Sequence, residues 1–157
     1  MKLYHGSTID IAKVDLDLSK PNKDFGRAFY LSDDCQQALE MAQFRAEFEE
    51  TEPVVNVYEF DEALFQEFRY KRFEAYTEEW AHFVYDHRTE PHGRTLHDYD
   101  IVYGPIANDR VGAQIARYKQ GYITFDEFLR RIQYIKGITF QYAFCTQRAI
   151  DKLEKIK

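Results

Sequence analysis

The chain has 157 residues, 45% of them hydrophobic and 31% charged, with a formal net charge of −6. That balance describes one folded domain over residues 1–157 and excludes a disordered chain. It also argues against a non-specific nucleic-acid binder, because an acidic surface gains nothing from a phosphate backbone; a nucleic-acid substrate held by a local basic patch stays open.

Residues 2–5 read as a short strand ended by Gly6. No apolar run of signal-peptide length follows Met1 and no stretch approaches a membrane span, so a cytoplasmic protein with no membrane contact is expected. Residues 10–23 end in Ser19-Lys20-Pro21-Asn22, a loop signature. Phe29-Tyr30-Leu31 are strand formers entered through Gly26. Ser32 is the expected N-cap of a helix running to about Glu49, with Asp33 and Asp34 at its positive end. Pro53 then opens a strand over 54–60, whose β-branched start places it in a sheet interior.

A helix is expected from Thr77 to about Asp86, with Tyr76, Trp80, Phe83 and Val84 on one face. Residues 88–98 are polar, contain Pro91 and Gly93, and read as a loop. Residues 99–103 form a strand closed by Gly104-Pro105. Asn108-Asp109 can cap a helix reaching Lys119, which Gly121 ends. Thr124 with Glu127 makes a capping box ahead of a helix whose stripe is Phe125, Phe128, Leu129 and Ile132. Residues 141–145 form a strand, and Thr146 caps a terminal helix carrying Ala149, Ile150 and Leu153.

Few of these residues announce chemistry alone. His82, His87, His92 and His97 recur every five residues, a step that leaves one helix face, and Pro91 and Gly93 break the segment. They read as solvent-facing polar groups, and no metal site is expected. Cys35 and Cys145 form no metal-like pair and read as reduced thiols. Neither a Rossmann nor a phosphate-loop glycine pattern is present.

Three separated segments carry more when taken together: Leu3-Tyr4-His5-Gly6-Ser7, then residues 24–32 (Asp24-Phe25-Gly26-Arg27-Ala28-Phe29-Tyr30-Leu31-Ser32), then Phe140-Gln141-Tyr142-Ala143-Phe144. Their order resembles the His-Tyr-Glu class of ADP-ribosyltransferases. The chain also looks like a bacterial domain family of unknown function grouped with those enzymes, through Trp80-Ala81-His82-Phe83-Val84 and residues 98–109. The resemblance spans nearly the whole chain. It implies an α+β, ADP-ribosyltransferase-like fold, in which split antiparallel or mixed sheets with flanking helices surround an NAD cleft.

By the same resemblance His5, Tyr30 and Gln141 are the catalytic positions. His5 would bond a ribose hydroxyl, the Gly6 backbone would grip the nicotinamide amide, and Tyr30 would stack on the nicotinamide ring. Tyr4, His5, Gly6, Ser7, Asp24, Gly26, Arg27, Phe29 and Tyr30 would line the cofactor site, with Asn108 and Asp109 as additional candidates that have no assigned step. NAD would be the substrate, without a metal, and ADP-ribose would pass to an unknown acceptor (protein, nucleic acid or water). A toxin role would add a cognate immunity or antitoxin protein as partner. Two departures stand out: Ala28 where the family commonly has glycine, and Gln141 where the enzymes carry glutamate. Glutamine can orient a ribose but supplies no charge. Either another carboxylate assists, or the chemistry is slower, or NAD is bound and not turned over. The last case makes the domain a catalytically weak NAD-binding or protein-interaction module.

Overall fold

The computed structural model describes residues 1–135 and 137–157. Strand β1 (Lys2–Ser7) pairs antiparallel with β3 (Val54–Glu59), and β3 in turn pairs with the short β7 (Glu154–Lys155). The second sheet runs β2-β6-β5-β4, from β2 (Phe29–Leu31), β6 (Phe140–Phe144), β5 (Ile101–Pro105) and β4 (Tyr70–Arg72). Its pairs are antiparallel except β4–β5, which is parallel. The protein is therefore a mixed α+β domain with two sheets. The strand beginning at Val54 does lie inside its sheet, as its β-branched start suggests.

Alternation along each strand divides the molecule into layers. Phe29, Leu31, Ile101, Tyr142 and Phe144 leave the second sheet on one face. They pack with Leu3 and Tyr58 of the first sheet, with Phe60 just beyond β3, and with Ala149 and Ile150 of α5 (Gln147–Ile150). The opposite face bears Val102 and Ala143 and packs with Trp80 and Val84 of α2 (Glu78–Thr89), Val111 and Ile115 of α3 (Val111–Lys119) and Phe128 of α4 (Phe125–Arg131). Helix α1 (Cys35–Glu49) covers the outer face of the first sheet.

Several boundaries differ from the sequence reading, each for a local reason. Gly6 does not end β1 but lies inside it, paired with Val55 of β3, and it is glycine because α1 passes so close that a Cβ there would overlap the Ala38 carbonyl oxygen. Helix α1 is capped by Asp34, whose side chain accepts from Gln36 N, and not by Ser32. Ser32 is held back in a bridge to Tyr4, and its Oγ accepts from Asp34 N at 3.0 Å. Gly104 and Pro105 extend β5 and do not close it; Gly104 is where the rings of Phe25 and Phe73 cross the sheet. Arg110 occupies the N-cap of α3 without a side-chain bond, while Asn108 accepts from Arg110 N and donates to the carbonyls of Arg131 and Gln133. Helix α5 ends at Ile150, short of Leu153. The Thr77 cap and the Thr124–Glu127 capping box form as the sequence indicates.

The histidine reading also needs correction. His87 is 2% exposed and His97 half-buried. His87 shares its Nδ1 with the Phe83 carbonyl and accepts from Leu96 N at its Nε2. His97 meets the Phe25 carbonyl through Nε2 and accepts from Tyr99 N at Nδ1. A loop without regular structure needs side chains to satisfy its main chain, and these two rings do so for the amides of Leu96 and Tyr99. Among the described residues no helix is long and apolar enough to cross a membrane, and Cys35 and Cys145 are free thiols.

Candidate functional site

The two sheets touch at one edge. Tyr4 and Ser32 exchange both main-chain bonds at 2.8 Å, and among the described residues that bridge is the whole pairing between β1 and β2. Two residues further along β1 stands Gly6; two residues back along β2 stands Tyr30. The strand alternation turns the main chain of both toward the same seam, and among the described residues no pairing between them is present. His5 spans the gap instead, its Nδ1 lying 2.7 Å from the Tyr30 carbonyl oxygen.

That contact fixes the state of His5. A carbonyl oxygen only accepts, so Nδ1 carries the hydrogen and Nε2 is left as an acceptor. Burial lowers the pKa of the ring; the bond to Tyr30 opposes this, and the Arg45 and Lys155 charges add to the lowering. The ring lies over Phe29, with centroids 4.3 Å apart.

Tyr30 pairs with Ala143 across β2 and β6, so its ring leaves the face that Gln141, two residues before Ala143, also leaves. The Tyr30 hydroxyl donates to Gly26 O at 2.8 Å and accepts from Phe25 N at 2.9 Å. Burial, then the neighbouring Cys145 and Asp24, push that hydroxyl well up from its ordinary range. Gly26 has φ +91°, and a Cβ there would crowd Thr95 and His87, so the turn calls for glycine on two counts.

Asp24 closes the cluster. It is 7% exposed; its Oδ1 accepts from Arg88 Nε at 2.6 Å, and its Oδ2 lies 3.4 Å from Gln141 Nε2. The structure thus connects His5, Tyr30, Gly26, Asp24 and Gln141 in one chain of contacts. It separates their rings in one respect: Tyr30 and Gln141 share a face, while His5 reaches Tyr30 through the main chain from the Phe29 side.

The remaining candidates have structural duties. Phe29 is buried between His5 and Tyr58. Ser7 is buried and accepts from Ile9 N. Arg27 donates to the carbonyls of Asp17 and Ser19. Tyr4 makes the sheet-joining bridge. Asn108 ties the α3 entrance to residues 131 and 133. Asp109 is exposed, and its charge, like that of Asp24, bears on the Tyr134 hydroxyl, whose pKa burial raises first. Trp80 and Asp100 are equally architectural: Trp80 Nε1 donates to Pro105 O at 2.9 Å, and Asp100 accepts from Arg69 N, Thr146 Oγ1 and Arg148.

Sequence reading missed Arg88, because nothing local ties it to a carboxylate 64 positions away. A concavity of about 150 Å³ lined by residues that include Val14, Tyr58 and Leu153 lies elsewhere and shares no residue with this cluster. Among the described residues no group of His, Cys, Asp and Glu is arranged to hold a metal ion.

The geometry makes one substitution informative. Tyr30→Phe keeps the ring but strands Phe25 N–H and Gly26 C=O in a buried turn. It is expected to cost about 1–3 kcal/mol of stability, measured by denaturant unfolding, and not to behave as a silent change.

No curated protein and no solved structure matches the chain. The family described as "Protein of unknown function (DUF3990)" matches residues 1–155, and the chain belongs to that family.

Proposed function

We propose that the protein is an NAD-dependent ADP-ribosyltransferase or NAD glycohydrolase with an ADP-ribosyltransferase-like fold. The observation that supports this most is the parting of β1 and β2 beyond the Tyr4–Ser32 bridge. Beside that seam lie the main chain of Gly6 and the His5 ring on the Phe29 side, with Tyr30 and Gln141 on the other face of the second sheet. Those groups suit a nicotinamide riboside: main-chain groups for the amide, a ring acceptor for a ribose hydroxyl, and an aromatic face for the base.

The chemistry would break the C1′–N bond, its electron pair leaving with the nicotinamide nitrogen and cancelling the ring's positive charge. An acceptor oxygen or nitrogen would bond to C1′ and release its proton. The intervening ribosyl transition state is cation-like, and pre-set negative electrostatics would lower its energy. The acceptor is a protein, a nucleic acid or water; a toxin role with an immunity partner is one setting in which such chemistry operates.

A second reading has its own support. Gln141 is neutral, and on this reading the domain holds NAD without cleaving it. Calorimetric titration with NAD, followed by an assay of nicotinamide release, separates the two. Binding with release is the expected result. Binding without release leaves the binding module, and no binding removes both.

A further inference from the structure

We propose that Asp24 supplies the negative charge that Gln141 lacks, by fixing the Gln141 amide with Nε2 toward itself and Oε1 toward the ligand's ribose. The proposal rests on the transferase reading of this site. Its basis is geometric. Asp24 Oδ2 lies 3.4 Å from Gln141 Nε2, and a carboxylate can only accept from that amide nitrogen; the flipped amide would set oxygen against oxygen. The outward atom of residue 141 is then a carbonyl oxygen, which accepts a ribose hydroxyl as a glutamate oxygen would. Behind it stands the carboxylate, oriented on its other oxygen by Arg88 Nε at 2.6 Å.

Asp24 is also placed where a carboxylate matters. It begins the Asp24-Phe25-Gly26 turn whose main chain holds the Tyr30 hydroxyl, and its charge bears on the hydroxyls of Tyr30 and Tyr134. With its side chain only 8% exposed, little water screens it, although the Arg88 guanidinium on its other oxygen offsets part of its charge. Asp24 is thus a positioning residue. It acts through Gln141, and Asp109, exposed on the turn before α3, is not needed for the role.

A charge swap tests this with NAD as the probe. Asp24→Asn is expected to lower kcat for nicotinamide release about tenfold or more while the KM for NAD moves little. Adding Gln141→Glu to that variant returns the carboxylate one hydrogen bond away, with the new amide at position 24 donating to it, and should restore most of the rate. A structural role for Asp24 would not be rescued in that way.

Gln141→Glu alone leaves Asp24 in place and so serves even where Asp24→Asn fails to fold. The new acid would face the Asp24 carboxylate, with Arg88 behind it and the Tyr30 and Tyr134 hydroxyls nearby. Its ionisation, read from the pH–rate profile, should therefore lie above the ordinary glutamate range. An ordinary glutamate profile, a folded Asp24→Asn protein with unchanged kcat, or a double variant no faster than Asp24→Asn would each overturn the proposal. Wild-type protein that binds NAD and releases no nicotinamide would overturn the transferase reading itself, and this inference with it.

Discussion

Gly6→Ala is expected to destabilise the ligand-free protein by about 3 kcal/mol, which for a chain of this length lowers Tm by roughly 6–12 °C. The added Cβ would overlap the Ala38 carbonyl oxygen and stand 2.8 Å from Ala42 N. Both atoms belong to the main chain of α1, so no side-chain rotation relieves the clash and the helix must lift from β1. The resemblance offers a different reason for glycine here, namely room for nicotinamide to reach the backbone. The two reasons predict different measurements. If glycine serves the ligand alone, Gly6→Ala melts like the wild type and loses NAD affinity. If it serves the α1 contact, the melting temperature falls before any ligand is added.

The same contact sets which face of α1 is buried, although its extent to Glu49 is read from the sequence. Its buried residues are Ala38, Ala42 and Ala46, while Phe44 is 72% and Phe48 86% exposed. Hydrophobic patterning would turn the phenylalanines inward, but close approach to Gly6 leaves room only for methyl groups. Local chemistry was more legible. The Thr77 cap, the capping box and the interior strand over 54–59 each follow from residues within a few positions of one another. Strand β4, three residues of Tyr70-Lys71-Arg72, carries too little period to be read. The candidate site divides along the same line. The shared face of Tyr30 and Gln141 depends on strand alternation once β2 and β6 pair, whereas the Asp24–Arg88 and Asp24–Gln141 contacts depend on tertiary structure that no spacing encodes.

His87 shows the largest gap between pattern and structure, and its replacement should have a correspondingly large effect. A polar segment with proline and glycine suggests exposed histidines. In the fold, the His87 ring fills the space beside Gly26, and its Nε2 accepts the Leu96 amide at 2.9 Å. His87→Ala removes a buried ring and orphans that amide, a loss of about 2–5 kcal/mol. Acid should weaken the same contact. Burial lowers the pKa of His87 from its ordinary 6.5; the bond to Phe83 and the Asp86 charge only partly offset it. His97 is lowered by burial and by His87, against the Phe25 carbonyl and Asp98, and His5 is lowered as described. The unfolded chain therefore takes up protons first, so the stability these rings contribute is complete above the unfolded pKa. It is lost as pH falls through 6.5 toward the folded values. The wild-type Tm should drop between pH 7 and pH 5. His87→Gln offers Leu96 an amide oxygen that does not titrate, and its Tm should fall less over that interval. Equal slopes in the two proteins would show that His87 is not among the groups that set the acid limit of the fold.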